Sequence, residues 1–100
     1  MITYAIKATH IDLTDALRKH IDEKVQTLDT FGKHIIQMRI EIGMPSMHHH
    51  KGDIFRAEAN ITVHGDMLRV ETTHEDQYAA IDALVRMMKQ SLIKHKERKH

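Results

Sequence analysis

Hydrophobic residues along the chain switch period three times. From Ile2 to Ala8, Ile2, Tyr4 and Ile6 alternate with Thr3, Ala5 and Lys7, a period of two that predicts a half-buried strand. The period then lengthens. Leu13, Leu17, Ile21, Val25 and Leu28 recur at spacings of four and three, the signature of an amphipathic helix, with Thr14 as its N-cap and Gly32 as its stop. Arg18, Lys19 and Lys24 fall off that apolar stripe. Alternation returns in "IIQMRIEIG", where Ile36, Met38, Ile40 and Ile42 share one face and Gln37, Arg39 and Glu41 the other. After a loop, "MPSMHHHKGD", punctuated by Pro45 and Gly52, a strand puts Phe55, Ala57, Ala59, Ile61 and Val63 on one face. "HGD" then predicts a tight turn into "MLRVETT", with Gly65 supplying a positive φ. From Asp76 the helical period resumes through Ile81, Leu84, Val85, Met88 and Leu92.

The predicted order is therefore β-α-β-β-β-α. Strands apolar on one side and two amphipathic helices are satisfied together when both helices cover one face of a four-stranded sheet and water meets the other. This predicts a two-layer α+β sandwich in which the last three strands form an antiparallel meander. One hundred residues suit one such domain, spanning 1–100, with the residues after about 94 as a basic tail. No window approaches the length of a membrane span and no signal-like apolar region opens the chain, so a soluble, cytoplasmic protein is expected.

Charge changes the picture more than composition does. From Arg86 to the end six basic residues (Arg86, Lys89, Lys94, Lys96, Arg98 and Lys99) face one acid, Glu97, whereas the rest of the chain holds nine basic against thirteen acidic residues. Favourable interaction of cations with a helix C-terminus accounts for two or three of the six. The remainder points to an anionic partner. On the second helix Arg86, Gln90 and Glu97 point away from the apolar stripe while Lys89, Lys94 and Arg98 flank it. Aromatics that could stack on bases are few, namely Tyr4, Phe31, Phe55 and Tyr78, and most fall on core positions. Recognition through backbone charge and shape fits better than base stacking. Met87 and Ile93, apolar at outer positions, read as tolerated surface or as a rim for protein contact.

Other chemistry finds little support. Without cysteine there is no disulfide or thiolate site. His48, His49 and His50 are consecutive, unlike the spaced ligands of zinc sites, so a solvated loop is favoured over a metal centre and no cofactor is expected. No phosphate-binding glycine loop, spaced His-Glu motif or nucleophile elbow is present, and no enzymatic activity is expected.

"ALR" at Ala16–Arg18, Lys24 and Leu28, "EAN" at Glu58–Asn60, the "HG" turn at His64–Gly65, and above all "YAAID" at Tyr78–Asp82 followed by "LIKHKER" at Leu92–Arg98 resemble the ribosome hibernation promoting factors and ribosome-associated translation inhibitors, also called sigma-54 modulation proteins. The resemblance covers almost the whole chain. It implies a fold like a double-stranded-RNA-binding domain with an added first strand. It also implies binding to the 30S subunit and 70S ribosome in the decoding channel, through 16S ribosomal RNA, blocking messenger RNA and A- and P-site transfer RNA under stress or in stationary phase. A monomer when free is expected, with no membrane or small-molecule partner. Arg18, Lys24, Lys94 and Lys96 look like basic positions of the family, and Arg98 sits in a less regular end where a basic residue is common. Met87 and Gln90 stand where Lys and Arg are usual, the charges having moved to Arg86 and Lys89, and Thr27 takes a common Lys position. The alternative is a protein-interaction module acting on transcription, for which Met87 or Ile93 would matter more than the lysines.

Overall fold

The computed structural model describes residues 1–44 and 54–98. Its elements are β1 (Ala5–Thr9), α1 (Asp15–Gln26), a 3-10 helix (Asp29–His34), β2 (Ile35–Gly43), β3 (Phe55–Val63), β4 (Asp66–His74) and α2 (Gln77–Arg98). The strands lie in the order β1-β2-β3-β4, with β1 and β2 parallel and the other neighbours antiparallel. A parallel pair cannot be closed by a tight turn, and α1 supplies the crossover. The β2–β3–β4 meander and the α+β sandwich follow the hydrophobic pattern.

Both helices lay their apolar stripes on one face of the sheet. Leu17, Ile21, Val25 and Leu28 from the α1 region, Ala80, Ile81, Leu84, Val85, Met88 and Leu92 from α2, and the inward residues of β2 and β3 form a single buried cluster. Each large side chain removed from water there contributes about 1.5–3 kcal/mol. Among the described residues no polar or charged residue is buried in it. Tyr4, Phe31, Phe55 and Tyr78 pack against its rim, partly buried.

Local chemistry fixes the ends of the elements. Thr14 caps α1, its hydroxyl accepting from the Leu17 N–H at 3.1 Å. The helix does not run to Gly32. It ends at Gln26, because the Thr27 hydroxyl and N–H both turn back to the Lys24 carbonyl, and Leu28 and Phe31 continue in tighter turns onto Val25 and Leu28. Gly32 falls inside the 3-10 helix instead. For α2, the Asp76 carboxylate accepts from the Tyr78 N–H at 2.9 Å and its carbonyl from the Ala80 N–H at 2.9 Å. The hairpin between β3 and β4 turns on His64 and Gly65, and Gly65 takes the expected positive φ of 83°.

Two further expectations are corrected. Ile36 does not share the inward face of Met38, Ile40 and Ile42. A β-bulge between Ile35 and Gln37 makes Ile36 the extra residue, so Ile35 opposes Val63 and packs on the core while Ile36 is 58% exposed. The segment after residue 94 is not a less regular end: it stays helical through Arg98, beyond Leu92, the last buried residue.

A candidate nucleic-acid interface

α2 is 22 residues long, about 33 Å, against about 18 Å for the 12 residues of α1. Its inner stripe is consumed by the core, which leaves Arg86, Lys89, Gln90, Ile93, Lys94, Lys96, Glu97 and Arg98 exposed. Among the described residues none of Arg86, Lys89, Lys94, Lys96 and Arg98 lies within ion-pair distance of a carboxylate. Five cations thus stand over four turns with Glu97 as the one acid beyond Asp82, and Lys94 and Arg98, four residues apart, repel one another.

Helical rotation sorts the five. At 3.6 residues per turn Lys89 and Lys96 fall on the flank that carries Asp82 and faces α1, with Arg86 beside them on the outer ridge. Lys94 and Arg98 fall on the flank away from α1. Lys24 of α1 joins the first group: its Nζ is 3.9 Å from Asp82 Oδ1, one helical turn from Arg86. Arg18 does not. It lies on the opposite flank of α1, lining a shallow recess with Tyr4, Ile6, Asp15, Lys19 and Asp22. The structure therefore brings Lys24, Arg86, Lys89 and Lys96 to one side and sets Lys94, Arg98 and Arg18 apart from them. Lys99, the remaining residue of the basic set, lies outside the described residues, as do His48, His49 and His50.

The two helices are held in register by side chains that no local pattern reveals. His20 Nε2 is 2.7 Å from Asp82 Oδ1, and the His20 ring meets Tyr78 edge to face with centroids 5.0 Å apart. With Lys24 on the same carboxylate, Asp82 is the negative floor of the seam between α1 and α2. His20 and Asp82 are 62 residues apart, so only the fold joins them. On the other flank of α1, the Tyr4 hydroxyl donates to Asp22 at 2.9 Å. Burial, and after it this bond to a carboxylate, push the phenol well above its ordinary range, so Tyr4 remains a neutral donor. Gln26 accepts from the Ile2 N–H and donates to the Ile2 carbonyl, tying the first residues to α1.

The helix-free face of the sheet behaves differently. Cross-strand register aligns Glu41, Glu58 and Glu71 in one row, with Arg39, Asn60 and Arg69 in the next. Arg56 reaches Glu71 at 2.8 Å and Glu58 at 3.0 Å, and Arg69 reaches Glu58 at 3.2 Å. Burial presses the Glu58 carboxyl upward, but hydrogen bonds from Asn60 and Arg69 and the charges of both arginines outweigh it and hold the group below its ordinary value. The bond to Glu71 raises the Arg56 guanidinium further. Arg56 and Arg69 are thus spoken for by carboxylates, whereas the cations of α2 are open to an external anion.

Among the described residues no group of three or more His, Asp or Glu side chains is placed to hold a metal ion, and no helix is long and apolar enough to cross a membrane.

Residues 4–100 match the family described as sigma 54 modulation protein / S30EA ribosomal protein. A ribosome hibernation promoting factor from Azotobacter vinelandii is 32% identical over 93 residues, covering 93% of this chain and 81% of that one. A ribosome hibernation promotion factor from Deinococcus radiodurans is 28% identical over 98 residues, and there the chain spans 51% of the relative's length. Among solved structures, the Thermus thermophilus Protein Y N-terminal domain superposes with a TM-score of 0.77 at 24% identity, over 95% of this chain and 99% of that one.

Proposed function

The chain belongs to the sigma 54 modulation protein / S30EA ribosomal protein family, and from that premise we propose that it regulates translation by binding the ribosome. In this reading residues 1–100 act as one domain in the cytosol. The basic ridge of α2 and the adjoining Lys24 dock on 16S ribosomal RNA of the small subunit, in the decoding channel, where the protein excludes messenger RNA and A- and P-site transfer RNA and holds ribosomes idle. The observation that carries it is the run of five cations on α2 without carboxylate partners among the described residues, on a helix whose apolar side is already used by the core. Such a ridge suits phosphates approached from more than one direction, because its cations sit on two flanks. The names of the relatives support the same partner.

The test is co-sedimentation with 30S subunits and 70S ribosomes at low and moderate salt, with messenger RNA and transfer RNA as competitors. Saturable binding that those competitors displace is the expected result. Absence of binding at low salt would overturn the reading and favour a protein-interaction role centred on Met87 and Ile93.

A further inference from the structure

Among the described residues four large apolar side chains stand exposed: Met1, Ile36, Met67 and Ile93. The topology gathers them at one end of the molecule. α1 returns antiparallel to β1, so its last turn, the 3-10 helix and the start of β2 share an end with the β3–β4 hairpin, whose Val63 and Asp66 pair beside Ile35. α2 leaves β4 through a two-residue link and packs back over β4 and β3, which brings its last turns to that end too. Met1 is fixed there by the ion pair of its amino group with Asp29 at 2.8 Å. Met67, 63% exposed, lies in the row Gln37–Thr62–Met67, two strand spacings or roughly 10 Å from Gln37 and the Ile36 bulge.

Charge at this end is mostly positive. Lys33 and His34 close the 3-10 helix, and Lys94, Lys96 and Arg98 end α2. Of the acids, Asp29 is engaged by the amino terminus, which leaves Glu23, Asp66 and Glu97 against Lys24, Lys33, Lys94, Lys96 and Arg98. An end of the molecule that carries both cations and exposed apolar side chains calls for an anionic partner with apolar surface of its own. Duplex RNA hides its base faces, whereas unpaired RNA presents them beside its phosphates.

We propose that this end is a contact surface for unpaired RNA, with Lys33 and the last turns of α2 holding phosphates while Ile36 and Met67 lie against base faces. The inference rests on the ribosome reading and adds to it a part of the molecule and a kind of RNA. It is tested with two variants, both at exposed positions: Ile36→Thr with Met67→Thr, and Lys33→Gln. Binding is measured as a function of salt to 30S subunits and to a mixed-sequence RNA oligonucleotide, single-stranded or annealed to its complement. The wild type is expected to prefer the single strand. The apolar double variant should bind both the subunit and the single strand about tenfold more weakly without changing the salt slope, and Lys33→Gln should flatten that slope by about 0.7. Wild-type affinity in the double variant overturns the proposal. So does a loss confined to subunits with single-strand binding intact, which would mean a protein contact. A wild type that ignores subunits, yet prefers the single strand through Ile36 and Met67, would refute the ribosome reading while sustaining this surface.

Discussion

Gly43 ends β2 where β1 passes so closely that a Cβ would lie against the Thr9 carbonyl, well inside contact distance. The next residue, Met44, donates its N–H to that same carbonyl at 3.0 Å, so the approach is fixed from both sides. Gly43→Ala should therefore cost about 2–3 kcal/mol, read as a lower urea midpoint at unchanged slope, because β1 has to move to admit one methyl group. Glu58 permits a prediction in pH. Its folded-state value is depressed, so the stability it contributes is complete above the ordinary glutamate range and disappears as pH falls through the folded value. Unfolding curves of the wild type and Glu58→Gln should differ at pH 7 and converge as pH is lowered below about 4. At this scale the sequence was readable wherever one residue decides the local backbone, as at Thr14 and Gly65. It misled at Ile36, because a bulge shifts the parity of the strand and leaves no trace in a two-residue alternation.

Helices were the most legible elements, since each must present a continuous apolar stripe to a sheet, and the stripes of α1 and α2 are buried as the spacing required. Their ends were less so: α1 stops at Gln26 through Thr27, whose side-chain bond to Lys24 competes with the helix. What joins the helices was not legible at all. His20 and Asp82 meet only after the fold has formed, and no local pattern pairs one with the other. The seam gives Asp82 two opposing effects. Asp82→Asn removes a charge-assisted bond to His20 and should lower stability by about 1 kcal/mol in thermal unfolding. The same change deletes the negative floor beneath Lys24, Arg86 and Lys89, so affinity for 30S subunits should rise a few-fold, measured by filter binding at fixed salt. Both signs together distinguish a seam next to bound phosphate from a merely structural pair.

Among the described residues charge is segregated on a molecular scale: carboxylates and arginines neutralise one another on the open face of the sheet, and cations without a carboxylate partner collect on α2. If about six phosphates are neutralised, the logarithm of the binding constant should fall with that of salt at a slope of roughly −4 to −5. Lys94→Gln with Lys96→Gln should flatten it by one to two units, and an unchanged slope would refute contact by the end of α2. The asymmetry was visible in the sequence as a count. Its geometry was not, because the division of the cations between two flanks of α2, and the distance of Arg18 from all of them, depend on which side of each helix meets its neighbour.

The parallel pairing of β1 with β2 also bears on how the chain reaches this state. β3 and β4 meet across a two-residue turn, whereas β1 must wait for the whole α1 crossover before its five residues find a partner. Loop closure of that length disfavours early pairing. Ile6→Val should thus leave the refolding rate nearly unchanged and accelerate unfolding, while Ile61→Val in β3 should slow refolding, in stopped-flow measurements across denaturant. The first strand would be the last to join and the first to leave. The recess that holds Tyr4 and Arg18 would then be the last part of the surface to be assembled during synthesis and the earliest lost as the protein opens.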